Sequence, residues 1–294
     1  MLTEFLRVEK GKNTHPRYIL SLFITIIVFG LIITGAVYFG ILNGINNFDD
    51  SLVNEADLLI TDPLLSLYVD LFITIFIILG CWFSVRFVLK RGFKSLITPY
   101  ERINWRRIIF GFSVFFILLF IIQVITMIFQ FGSYSFNIVD WKSYLLLIIA
   151  AIILIPIQTT SEELFFRGLL LQWLAKFTKN PIILAIIVGA IFGSLHFFNP
   201  EMSYGWIIAL DYLFSGFILT YITAKTNSLE LAIGAHAANN IFVCLFITTE
   251  NNVMGGIPSM FLVETVNPYL VVTIDILLYA IFCFIILRKV DSKK

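Results

Sequence analysis

Apolar stretches long enough to cross a bilayer follow one another along almost the whole chain. They lie at about 18–42, 64–88, 107–130, 143–175, 181–198, 205–224, 229–248 and 268–287. About 20 apolar residues in a helix cross a hydrocarbon core of ~30 Å. Lipid offers the backbone no hydrogen bonds, so such runs must be helices that satisfy their own polar groups. The sequence is therefore expected to form an all-α integral membrane protein, a bundle of about eight transmembrane helices. Composition points the same way: 13% of the residues are charged and 59% are hydrophobic, whereas soluble domains carry roughly 25% charged residues. The first run exceeds the roughly 7–15-residue core of a cleaved signal peptide, so it is expected to stay as a span.

The placement of charge tests that count. Lys and Arg collect in the N-terminal tail (Arg7, Lys10, Lys12, Arg17), in the basic segment 86–107 and after the fourth span (Lys176, Lys179). They recur after the sixth span (Lys225) and in the C-terminal tail (Arg288, Lys289, Lys293, Lys294). The intervening connections carry Asp49, Asp50, Glu55, Asp57, Asp62, Asp140, Glu201, Glu250 and Glu264, with Lys142 as their lone basic residue. Eight spans put every basic cluster on one side, which predicts cytoplasmic N and C termini. The basic segment 86–107 is expected to serve topology, with contact to an anionic inner leaflet as the other reading. A net charge of +1 gives no reason to expect a nucleic-acid partner. Cys81, Cys244 and Cys283 sit in or at the ends of apolar runs without CxxC spacing, as packing residues do.

Inside the fourth run stands Thr159-Thr160-Ser161-Glu162-Glu163-Leu164-Phe165-Phe166-Arg167-Gly168. A charge at such depth costs roughly 2.5–3.5 kcal/mol on insertion scales, so partners or a function must offset it. Two histidines and an amide interrupt later runs. Counted from the nearest basic or proline anchor, Glu162 lies roughly 21 Å along its helix, His196 roughly 22 Å, His236 roughly 16 Å and Asn240 roughly 22 Å. Residues of three helices thus share one depth band near the middle of the membrane.

Spacing separates the two glutamates. Glu163 and Arg167 are i, i+4 and can pair on one face. Glu162 has Phe165 and Phe166 ahead of it and no local cation, a setting that suits a general base. Glu162 is thus the expected base, with Glu163 and Arg167 as a clamp; a purely structural ion-pair triad is the competing reading. Phe192 and His196 share a face, and Gly189 and Gly193 form a small-xxx-small pattern that permits close helix approach. His236 and Asn240, also i, i+4, could orient water, hold a metal or donate hydrogen bonds to an oxyanion. Glu162, His196 and His236 could together bind one divalent metal such as zinc, with water in the open position. Equally, Glu162 and His196 could activate water without one, and the residues leave both routes open. Asp70, Asp211 and Asp275 are expected to cap helices or pair within the bundle, with an ion path as the transporter alternative. No nucleotide-binding glycine-rich loop occurs.

Glu162-Glu163…Arg167, Phe192…His196 and His236…Asn240, in this order on successive membrane helices, resemble the CAAX prenyl protease and bacteriocin-processing (CPBP or Abi) family of intramembrane proteases. The resemblance covers about 143–248. It implies an eight-helix fold with a polar cavity and peptide-bond hydrolysis, as in type II CAAX prenyl endopeptidases. It implies that Glu162 and His196 activate water and that His236 and Asn240 stabilise the oxyanion. Family members have been described both as metalloproteases and as glutamate-type enzymes, and bacterial members are linked to bacteriocin immunity or peptide processing. The expected organisation is an N-terminal membrane region with three helices at 1–142, the protease core at 143–248, and an outer loop with the last helix and basic tail at 249–294. The expected partners are a peptide or membrane-protein substrate and the lipid bilayer. Richness in Ile, Phe, Asn and Lys suggests a bacterial plasma membrane. A non-catalytic immunity or scaffold protein, using the same motif as a structural polar core, is the alternative function.

Overall fold

Each of the eight apolar runs holds one helix in the computed structural model, which describes residues 3–137 and 140–291. Six of these helices are long and apolar enough to cross a membrane: α1 (His15–Phe48), α2 (Pro63–Val88), α3 (Trp105–Phe129), α4 (Trp141–Leu174), α6 (Trp206–Thr226) and α8 (Pro268–Lys289). Two apolar helices are shorter, α5 (Pro181–Ser194) and α7 (Glu230–Phe246). The helical membrane-protein class follows directly. Lys293 and Lys294 of the basic tail lie outside the described residues.

Local chemistry sets the helix starts. Asp62 accepts a 2.7 Å bond from Leu65 N ahead of Pro63, and Asn180 accepts 2.9 Å from Ile182 N ahead of Pro181. Both are side-chain N-caps followed by a proline whose missing N–H needs no partner there. α4 runs unbroken through Pro156 for 34 residues, about 50 Å of helix. Directly after Glu163 it widens into π-helical turns over Leu164–Leu170, a form of winding frequent at functional sites.

α5 corrects one expected boundary. The run at 181–198 was expected to be helical throughout, but the helix ends at Ser194. Asn199 precedes Pro200 and is extended, with φ −68° and ψ 146°, because a proline pushes the preceding residue out of helical geometry. His196 therefore sits on a turn beyond the helix, its N–H bonded to Gly193 O at 3.0 Å. Its depth cannot be counted at 1.5 Å per residue.

Two close helix contacts place the later motifs. A Cβ on Gly189 would meet Phe217 N at 2.6 Å and one on Gly193 would meet Leu213 Cα at 2.9 Å. The small-residue stripe thus brings α6 onto α5. A Cβ on Gly234 would meet Ile108 O at 2.0 Å, so only glycine lets α7 lie this close to α3. The core between helices holds Phe115, Leu164, Leu169, Leu171, Leu219 and Phe282. Large apolar side chains such as Leu31, Ile152 and Phe284 remain exposed on the outside, as lipid-facing surfaces do.

The N-terminal segment ties the helices together at one end. Phe5 and Leu6 are buried. Phe5 N donates to Asn227 Oδ1 at 2.8 Å, and Gln172 Nε2 donates to Phe5 O at 3.1 Å and to Ser95 O at 2.8 Å. Arg91, within the basic segment, is also buried and donates to Gln172 Oε1 at 2.7 Å. It braces the foot of α4 as well as contributing charge. Between α1 and α2 lies a short hairpin, β1 (Val53–Asn54) with β2 (Leu59–Ile60). At the far ends of α3 and α7, β3 (Tyr134–Phe136) pairs antiparallel with β5 (Phe261–Val263), while β4 (Ile247–Thr248) pairs parallel with β5.

Candidate active site

α4 presents Gln158, Glu162, Glu163 and Arg167, and α7 presents His236 and Asn240. The Glu163–Arg167 pair forms as its spacing predicts, at 2.8 Å, with both side chains fully buried. Arg167 also donates to Thr220 Oγ1 at 3.3 Å and Gly216 O at 3.4 Å on α6. Its guanidinium lies 4.3 Å from the Phe192 ring centroid, a cation–π contact. One side chain thereby joins α4, α5 and α6.

His236 stands between the two glutamates. Its Nδ1 is 2.9 Å from Glu163 Oε1, and its Nε2 is 3.8 Å from Glu162 Oε2. An Nδ1–H given to a carboxylate leaves Nε2 as the nitrogen facing the other partner. The side chain of Glu163 is wholly buried, while that of Glu162 is 26% exposed. Of the two carboxylates, Glu162 is the one a water molecule can reach.

A relay of amides ends on Glu162. Asn239 Nδ2 donates to Asn240 Oδ1 at 3.1 Å, and Asn240 Nδ2 donates to Gln158 Oε1 at 3.1 Å. Gln158 Nε2 in turn donates to Glu162 Oε1. Asn240 and Gln158 each accept with oxygen and donate with nitrogen, so a single orientation satisfies the row. Glu162 Oε1 is held in this way, and Oε2 faces His236. Gln158 is not singled out by the sequence, and Asn239, whose place on the helix points away from the His236–Asn240 face, reaches the cluster only through Asn240. The signal for Gln158 was its place one turn before Glu162, at i−4.

His196 stands apart from this cluster. Its Nδ1 is 2.8 Å from Phe192 O, which leaves Nε2 open, and its ring stacks on Tyr212 at a centroid distance of 4.4 Å. The Tyr212 hydroxyl bonds Glu201. Among the described residues, no hydrogen bond or ion pair joins His196 to Glu162. Phe192 is the link, with its ring centroid 4.7 Å from that of His196 and 6.1 Å from that of His236. Asp70 accepts from Ser66 Oγ at 3.2 Å within α2. Asp211 and Asp275 lie on α6 and α8.

The donor set does not fit a catalytic zinc ion, which takes three protein ligands. His236 Nε2 and Glu162 Oε2 face each other, but His196 is turned to Phe192 and Tyr212. Among the described residues, no three His, Cys, Asp or Glu side chains come together closely enough to hold a metal.

Residues 140–242 match the family described as Type II CAAX prenyl endopeptidase Rce1-like. They enclose all of Gln158, Glu162, Glu163, Arg167, Phe192, His196, His236 and Asn240. A Bacillus subtilis (strain 168) protein, "Uncharacterized protein YyaK", is 45% identical over 270 residues, covering 91% of this chain and 89% of its own length. No solved structure matches the chain. With its helices, its ordered motifs and this bacterial relative, the chain belongs to the Rce1-like, type II CAAX prenyl endopeptidase (CPBP) family, as a multi-pass bacterial membrane protein of the CAAX-protease kind.

Proposed function

We propose that this protein is an intramembrane endopeptidase in which Glu162 activates water for attack on a peptide bond. The observation that carries this reading is the convergence of Glu162, His236 and Asn240 at one spot where Glu162 is partly exposed, backed by the buried Glu163–Arg167 pair. The 3.8 Å between Glu162 Oε2 and His236 Nε2 suits two groups sharing one water. Glu162 takes the proton as the water oxygen attacks the scissile carbonyl. Asn240 uses one N–H on Gln158 and keeps the other for the oxyanion. When the C–N bond breaks, the proton held by Glu162 passes to the leaving amine. His196, across the Phe192 ring from His236, is the second proton-handling group in this reading.

Full-length protein in lipid nanodiscs, incubated with a peptide library in H₂¹⁸O, is expected to produce new C-terminal carboxylates carrying one ¹⁸O. No cleavage across the library would count against the proposal. Gln158→Leu removes a donor to a charged group, and such bonds contribute about 1.5–3 kcal/mol. It is expected to lower kcat roughly 10- to 100-fold with a nearly unchanged melting temperature. An unchanged kcat would remove Gln158 from the mechanism.

A further inference from the structure

His196 needs a fixed ring to handle protons, yet no helix holds it. α5 ends at Ser194. His196 rides on a turn whose backbone bonds run from His196 N to Gly193 O at 3.0 Å and from Asn199 N to His196 O at 3.1 Å. A functional side chain on a loop keeps its geometry only when packing and hydrogen bonds around it lock its rotamer. One support comes from within the turn. His196 Nδ1 is 2.8 Å from Phe192 O, and an Nδ1–H given to that carbonyl assigns proton exchange to Nε2.

The other support comes from α6. The Tyr212 ring lies on the His196 ring, with centroids 4.4 Å apart and planes 17° from parallel. A stack of this kind is a favoured aromatic arrangement and resists tilting of either ring. Tyr212 is itself anchored. Its hydroxyl donates to Glu201, and Asn199 Nδ2 reaches the same hydroxyl at 3.3 Å and Glu201 Oε1 at 3.4 Å. The second oxygen of Glu201 accepts from Val253 N at 3.3 Å, which ties the loop after β4 to this group. One residue on from Tyr212, Leu213 lies against Gly193. That contact fixes the register of α6 on α5, and with it the level of Tyr212 beside His196.

We propose that Tyr212 is a positioning residue for His196, with Glu201 as the anchor that holds it. This rests on the reading of His196 as a proton-handling group of an intramembrane endopeptidase. The Tyr212 face keeps the imidazole in the one orientation that directs Nδ1–H to Phe192 O, so Nε2 stays the exchanging nitrogen. The Tyr212 hydroxyl donates to Glu201, not to His196, so Tyr212 acts through its ring and carries no proton. A residue that only filled space would leave the tautomer of His196 unaffected.

The chain has three histidines, so full-length protein labelled with ¹⁵N-histidine in nanodiscs gives a short imidazole spectrum by solid-state NMR, and His196→Asn assigns its signals. At a pH of about 8.5, where imidazoles are neutral, wild type is expected to show His196 as one tautomer, protonated on Nδ1. Tyr212→Leu is expected to show both tautomers. Tyr212→Phe and Glu201→Ala lose the anchor but keep the stacked ring, and each is expected to show the second tautomer only as a minor signal. Peptide cleavage should follow the same order. Misplacement of the ring in Tyr212→Leu is expected to lower kcat roughly 10- to 100-fold at a nearly unchanged KM. Loss of one hydrogen bond in either anchor variant is expected to lower it about threefold. A single wild-type tautomer in Tyr212→Leu overturns the proposal, as does a mixture of tautomers in the wild type. Tyr212→Phe as impaired as Tyr212→Leu overturns it too, since the hydroxyl rather than the ring would then matter. If Tyr212→Leu fails to fold, Glu201→Ala decides, and an unaltered tautomer there counts against the proposal. Failure of the endopeptidase reading has its own signature, a wild type that cleaves nothing, and there the tautomers alone uphold or overturn the role of Tyr212.

Discussion

Glu162→Gln is expected to lower peptide cleavage by at least about 100-fold, the scale of a missing general base. The amide keeps the length and shape of the side chain, and its oxygen can still accept the N–H of Gln158. What it loses is the ability to take a proton from water. Glu162 is partly exposed and is not the carboxylate bonded to Arg167, so the fold has little to lose. Activity should collapse while the melting temperature stays within a few degrees. KM should change little, because the carboxylate acts on water rather than on the bound peptide. Equal turnover by wild type and variant would rule out Glu162 as the base and favour the reading of the motif as a structural polar core.

How far the sequence reaches depends on the range of each interaction. The spans are legible because a bilayer demands some 20 apolar residues from each helix, and α1 to α8 lie where those runs lie. Glu163–Arg167 is legible because i, i+4 neighbours meet on any helix. Depth counting puts Glu162 level with His196 and Asn240, with His236 about one turn away, yet depth carries no information about direction. His236, rather than His196, is the histidine facing Glu162. That outcome depends on a turn after Ser194 and on how α7 packs against α4. Gln158 was legible in principle, since it stands one turn behind Glu162 on the same helix. The burial of Arg91 against Gln172 was not legible. A cation in a basic loop looks like topology charge until the fold supplies its partner.

Arg167→Ala carries the largest expected change in stability. Arg167 and Glu163 are both fully buried, and the guanidinium is the only full cation bonded to Glu163 among the described residues. Its removal leaves a carboxylate in a desolvated site with His236 as its remaining partner. It also takes a donor from Thr220 and Gly216 and a cation from the face of Phe192. Breaking a buried pair by deleting one member costs about 3–5 kcal/mol, which corresponds to an apparent melting temperature roughly 10 °C lower. The uncompensated charge, more than the lost volume, should dominate that cost. Arg167→Met with Glu163→Gln removes both charges and keeps an oxygen for His236, so the double variant is expected to melt higher than Arg167→Ala alone. If the double variant instead melted lower, the energy would lie in Arg167's bonds to α6 and in its packing, and Glu163 would not be the group that the arginine stabilises.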